Sequence, residues 1–247
     1  EIRIRDWSSD VCSSDLYFIL GAFSSGLFLF GSSILYGVSG TTNFEDLKNL
    51  FFLMYSKYDN LYEINNYHVI KQIFIDKGLI QFALSFIFIS LLFKLAIVPF
   101  HLWSIDVYEG SLSSSTFFFA VVPKLAIFIL IIRIFYLSFF EYTVKWQYYI
   151  VILAMLTIIV GSFAGLEQKK LKSLLAYSSI SHMGYTLIAF STGTFEGIQM
   201  LFCYLFLYMI AGLSMWSILL LLRLKYKHIK KQNKDLADLN LLHNTIT

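Results

Sequence analysis

Long apolar runs, separated by short polar ones, dominate this chain. Six of them fall at roughly Tyr17–Val38, Leu79–Trp103, Leu112–Phe139, Gln147–Leu166, Leu171–Ser191 and Gly197–Leu224. Each is long enough for the ~20 apolar residues a bilayer requires, and together they predict six membrane-spanning helices. Between the first two runs, Thr41–Lys77 is polar and charged. Within it Phe44, Leu47, Leu50, Phe51 and Met54 recur at helical spacing, so Asn43–Tyr58 is expected to lie along the membrane interface. Small residues mark places where helices can approach closely: Gly21 to Gly26 in the first run, and Gly161 with Gly165 in the fourth.

Composition sharpens this picture. Of 247 residues 57% are hydrophobic and 14% charged, against about 25% charged in soluble domains, and the mean hydropathy is +0.68. The fold class is therefore all-α: a polytopic transmembrane helix bundle of about six spans, with the lipid bilayer as its medium and no separate soluble domain. Phe 25 and Tyr 16 are high counts, and a composition rich in Phe, Tyr, Ile, Asn and Lys suits an A/T-rich genome. Cys12 and Cys203 have no metal-like spacing, and no GxGxxG, P-loop, CxxC or haem motif occurs. This excludes a recognisable redox cofactor site in these residues, and nothing points to nucleic acid.

The distribution of basic residues sets an orientation. Lys169, Lys170, Lys172, Arg223, Lys225, Lys227, Lys230, Lys231 and Lys234 fall on one side; Lys48, Lys57, Lys71, Lys77 and Lys145 fall on the other. The first side is expected to be the matrix or cytoplasm, with residues 225–247 as an inner-side loop. Residues 1–16 read as a non-native or disordered leader, since Asp6-Trp7-Ser8-Ser9-Asp10 is nearly repeated as Cys12-Ser13-Ser14-Asp15. Residues 17–247 then form the membrane domain, with 41–78 as an extramembrane or interfacial loop. The whole reads as a fragment of a longer protein.

The candidate chemistry lies with two lysines, each close to one of the two prolines. Lys94 precedes Pro99 and His101; Lys124 follows Pro123 directly. At 1.5 Å per residue Lys94 lies about 22 Å into the second span and Lys124 about 18 Å into the third, so both are central. A lysine at that depth costs about 2.5–3.5 kcal/mol on insertion scales and is seldom there without a role. Prolines in helices free a backbone carbonyl, and at membrane depth that irregularity survives only where protein or a wet cavity covers it. Helix breaks are therefore expected at Pro99 and Pro123, and the pattern points to proton or cation movement. The bland alternative is snorkelling of the lysines to the interface. His101 reads either as a proton relay on the inner side or as a helix-end packing residue. Asp106 and Glu109 are solvated carboxylates or gate the inner mouth. Ser178, His182 and Tyr185 share one helix face, as a secondary polar axis or as helix–helix glue.

Several of these residues carry a family resemblance. Phe93-Lys94-Leu95-Ala96-Ile97-Val98-Pro99-Phe100-His101-Leu102-Trp103, with Asp106-Val107-Tyr108-Glu109-Gly110, resembles subunit 2 of respiratory NADH:ubiquinone oxidoreductase, complex I. Val122-Pro123-Lys124 and the stretch Leu171 to Tyr185 are similar to further signatures of that family, and the resemblance covers nearly everything from Tyr17 to Thr247. It implies a proton-translocating membrane-arm subunit, with these spans as the sixth to eleventh helices of a fourteen-helix antiporter-like fold. Lys94 matches the central lysine of the first proline-broken helix and Lys124 the bridging lysine of the next, with His101 a secondary relay. The family pairs the first lysine with a glutamate on a preceding helix, which these residues lack, so a glutamate-bearing transmembrane helix is expected beside Lys94. NADH, FMN, iron–sulfur clusters and ubiquinone are expected on other subunits, and the location is the mitochondrial inner membrane or, alternatively, a bacterial plasma membrane. The competing functions are a subunit of an Mrp-type cation/proton antiporter and a non-pumping structural piece of the complex I arm.

Overall fold

The computed structural model describes residues 4–59 and 67–225, and every regular element among them is helical. Helix α1 runs Ile4–Ser39, α2 Phe44–Asp59, α3 Tyr67–Leu95 and α4 Leu102–Gly110. Then come α5 Ser113–Ile132, a π-helical turn Arg133–Ser138, α6 Phe140–Leu166, α7 Leu171–Ser191 and α8 Phe195–Lys225. Five helical segments are long and apolar enough to cross a membrane: Tyr17–Ser39, Lys77–Leu95, Ser113–Ser138, Trp146–Leu166 and Phe195–Leu219. Helix α7, the remaining expected span, matches its expected bounds but carries Ser173, Ser178, Ser179, Ser181 and His182. It is sheltered by packing against α4, α5, α6 and α8, where Ser173, Ser179 and His182 find partners.

Some expected boundaries move. Residues 4–16 are continuous with α1, which runs Ile4–Ser39. No Gly or Pro interrupts the chain before Gly21, and extending an existing helix is cheap. The expected loop over 41–78 is largely α2 and the first turns of α3. Helix α2 lays Leu47 and Phe51 inward, with the Phe51 and Phe139 rings 4.8 Å apart, so its period predicts its docking face. The expected inner-side loop beyond residue 225 lies outside the described residues.

The second span is one helix only as far as Leu95. There the chain turns through Ala96 at φ 59, and Ala96 N donates to Phe93 O at 3.1 Å while Ile97 N donates to Leu92 O at 3.1 Å. This pair of bonds is a Schellman cap, with Ala96 in the left-handed position and Leu92 and Ile97 both buried. Pro99 explains why α3 cannot continue: it has no N–H to give, and it disfavours helical backbone at Val98. Trp103 Nε1 donates to Phe93 O at 3.0 Å, so the break is closed by protein, as membrane depth demands. A left-handed conformation costs an L-residue about 1–2 kcal/mol, while glycine's extra freedom in the unfolded chain returns about 0.5–1. Ala96→Gly should therefore raise stability by ~0.5–1 kcal/mol, read as a higher midpoint of thermal unfolding in detergent; a fall would show that the Ala96 methyl packs usefully.

Pro123 behaves otherwise. It sits inside α5, which runs unbroken through it. The expected break is absent: α5 continues past the proline, and on the preceding turn Tyr208 of α8 donates its hydroxyl to Ala120 O at 3.1 Å, beside the Phe119 carbonyl that Pro123 leaves without its helical donor. The irregular backbone in this span comes later, at the π-turn, where Phe139 N reaches Ile134 O at 3.2 Å. There Ser138 Oγ donates to Phe44 O of α2 at 3.2 Å and Tyr136 Oη donates to Phe190 O of α7 at 2.6 Å.

Two cores hold the bundle. The larger joins Ile80, Leu84, Leu91 and Leu95 of α3 to Phe128 and Ile131 of α5 and to Leu187 and Phe190 of α7. The smaller joins Val107 and Tyr108 of α4 to Ala120, Val121, Ala176 and Trp216, and it fixes α4 against α5, α7 and α8. Helices α1 and α3 touch most closely at Gly31, where an added Cβ would stand 2.7 Å from Ala83 O. The glycines expected to serve there, Gly21 and Gly26, face open space; Gly161 does pack tightly, against Ser181 and Tyr177.

Candidate functional site

Lys94 lies in the last turn of α3, directly before the Schellman cap. The carbonyl end of a helix carries partial negative charge, so this position favours a cation. Lys94 is half-buried and makes no ion pair or hydrogen bond among the described residues. Lys124, on α5, is 3% exposed. Its Nζ donates to Ser179 Oγ of α7 at 2.9 Å and stands 5.9 Å over the ring of Tyr108 of α4. Ser179 passes its own proton to Ala176 O at 2.7 Å, which leaves its oxygen lone pairs for the ammonium. A buried lysine held by one hydroxyl and one ring face is under-compensated relative to an ion pair.

Both lysines line a single cavity of about 410 Å³ between α1, the α3–α4 break and α5. Tyr17, Ser24 and Ser25 come from α1, Phe93 and Trp103 from the two sides of the break, and Pro123 from α5. The rest of the wall is largely aromatic, with Tyr17 5.5 Å from Trp103 and 5.6 Å from Phe119 between ring centroids. Among the described residues no carboxylate lines this cavity. The arrangement places two titratable cations on separate helices around one space that waters can enter, with low-dielectric walls that strengthen their mutual field.

The other expected residues divide. His101 stands in the break with Nδ1 buried and without a hydrogen-bond partner, while its carbonyl accepts from the N–H and Oγ of Ser104 at 3.1 and 2.8 Å. His182 Nδ1 meets Tyr204 Oη at 2.7 Å, and its ring lies 5.3 Å from that of Tyr208. Tyr185 reaches the same group through Tyr204, with ring centroids 6.2 Å apart. Ser178 is exposed and takes no part; the inward serine is Ser179, which the i, i+4 stripe passed over. Sequence reasoning also missed Tyr204 and Tyr208 on α8, whose aromatic spacing of four residues is the only signal they gave. Asp106 is exposed, whereas Glu109 pairs with Lys170 and accepts from Ser173 Oγ at 3.2 Å.

Residues 2–246 match the family of NADH:quinone oxidoreductase/Mrp antiporter transmembrane proteins. The chain belongs to that family. It is 42% identical over 229 residues to NADH-ubiquinone oxidoreductase chain 2 of Marchantia polymorpha, covering 93% of this chain and 42% of that one. Among solved structures it resembles a chain of respiratory complex I from Thermus thermophilus, at 30% identity and a TM-score of 0.61, covering 84% of this chain and 39% of that one. It shares its fold with a chain of the Mrp complex from Dietzia, at 22% identity and a TM-score of 0.68, over 83% of this chain and 34% of that one. The chain thus spans well under half the length of the relatives it matches.

Proposed function

We propose that this chain is part of a membrane-arm subunit of NADH:ubiquinone oxidoreductase that couples quinone reduction to proton translocation. The observation that carries the reading is the shared cavity: Lys94 and Lys124, from separate helices, face one space lined otherwise by aromatic and small side chains. Lys94 holds a proton at the helix break, Lys124 relays it laterally, and His101 serves the inner side. Like charges around one low-dielectric space disfavour simultaneous protonation, so a proton arriving at one lysine promotes release from the other. NADH, FMN, the iron–sulfur clusters and ubiquinone belong to other subunits of the assembly. In this reading the membrane is the mitochondrial inner membrane, with a bacterial plasma membrane as the alternative.

A double-mutant cycle tests the shared pathway. Lys94→Ala, Lys124→Ala and the double variant are compared for protons moved per NADH oxidised in reconstituted complex. The double variant should be little worse than either single one, a strong departure from additivity. Additive losses would place the lysines on separate routes. Co-purification separates the two branches of the family: NADH-oxidising subunits support this reading, and antiporter subunits without NADH oxidation support the Mrp-type one.

A further inference from the structure

The cavity accounts for the two lysines but not for how a proton reaches Lys124, which is 3% exposed. The aqueous end of α4 offers a route. Glu109, at that end, is 41% exposed and pairs with Lys170 of the α6–α7 loop. Its Oε2 accepts from Ser173 Oγ at 3.2 Å, and Ser173 is 1% exposed. Ser173, Ala176 and Ser179 follow one another on the buried face of α7. Ser179, at the far end of that face, holds the Lys124 ammonium at 2.9 Å. The two serines are separated by about 9 Å of helix rise, more than the two hydrogen-bond steps that a single hydroxyl between them provides, so water completes the path. Tyr108 of α4 lies beside this interval: it is 2% exposed, precedes Glu109 in the chain, packs in one cluster with Ala176 and lies beneath Lys124. The same corner holds an unsatisfied group. Ser111 Oγ is buried without a partner while Ser111 O accepts from Lys172 Nζ at 2.6 Å, which marks a place for a bound water.

We propose that Glu109 collects protons at the aqueous face and that Ser173, Tyr108 and Ser179, with water between them, carry them to Lys124. This rests on the proton-translocating reading above. Hydronium gives a proton to the Glu109 carboxylate and leaves as water. The carboxylic acid then releases it into the hydroxyl chain, in which each oxygen accepts one proton as it gives up another. The last O–H breaks as the neutral Lys124 amine gains its N–H bond, and Glu109 returns to the carboxylate. Lys170 holds Glu109 in place between cycles.

The bland alternative is that Glu109 and Lys170 only clamp α4 to the α6–α7 loop. Glu109→Gln and Lys170→Gln break the same ion pair, but only the first removes the proton-accepting group. In reconstituted complex, Glu109→Gln should lower proton translocation per NADH oxidised by about tenfold or more, within the range for loss of a positioned acid–base group. Lys170→Gln should lower it less than twofold. Added formate or azide, small weak acids that ferry protons, should restore the Glu109→Gln variant, and Ser173→Ala should show a smaller, rescuable loss. Equal losses in both pair variants without rescue would make the cluster a clamp and overturn the proposal, as would normal pumping in Glu109→Gln. Lys124→Ala, measured alongside, keeps the readings apart: if it pumps normally the functional assignment fails, whereas if it fails to pump while Glu109→Gln is normal, only the route fails.

Discussion

Lys124→Ala is expected to abolish coupled proton movement while leaving the assembled subunit in the membrane, and Lys124→Arg is expected to fail almost as badly. The lysine is 3% exposed, and its ammonium has one hydroxyl partner, Ser179, and one ring beneath it, Tyr108. Alanine removes a buried charge whose insertion alone costs about 2.5–3.5 kcal/mol, so the bundle should lose little stability or even gain some. Arginine keeps charge but cannot give its proton up at physiological pH, and its planar fork does not fit a site built around one acceptor. Turnover with a soluble quinone can continue, because no cofactor is assigned to these residues; the loss should appear in the proton gradient formed by proteoliposomes. A gradient of normal size in the alanine variant would remove Lys124 from the pathway.

The two lysines were legible because charge in an apolar run is conspicuous and because proline marks trouble in a helix. The cavity they share was not legible: it depends on α1 lying against α3 at Gly31 and on α4 turning back beneath α5, both of which are tertiary facts. Proline was a partial guide. Pro99 marks a real break, yet the turn itself is made at Ala96, an ordinary residue forced into glycine's conformation. Pro123 sits in an unbroken helix, tied on the preceding turn by a tyrosine 85 positions further on that donates to Ala120 O, and no local pattern encodes such a partner. The π-turn at Arg133–Ser138 left no mark in the apolar pattern. On α7 the helical period selected the face of Ser178, His182 and Tyr185, but burial turns Ser173, Ala176 and Ser179 inward. A period identifies faces; which face is wet depends on the neighbours.

Lys94 differs from Lys124 in a way that bears on the rest of the protein. It is half-buried, points into the shared cavity and has no anionic partner among the described residues. The carbonyl end of α3 contributes some favourable field, worth about 0.3–1 kcal/mol, which is well short of the cost of an ammonium at this depth. A cation at that depth calls for an anionic partner. The wall formed by Tyr17, Phe18, Gly21 and Ala22 of α1 is open enough for a further helix to pack, and its small residues permit close approach. A structure of the assembled complex is therefore expected to show a glutamate on such a helix within about 4–6 Å of Lys94, the range over which an opposite charge holds a lysine protonated. The helix comes from another chain or from part of the same protein beyond these residues. Replacing that glutamate with glutamine should impair pumping as severely as Lys94→Ala, and the paired replacement should be no worse than either alone. If Lys94 is found facing only lipid, or an apolar cavity with no carboxylate within reach, its role as the proton-holding site is lost.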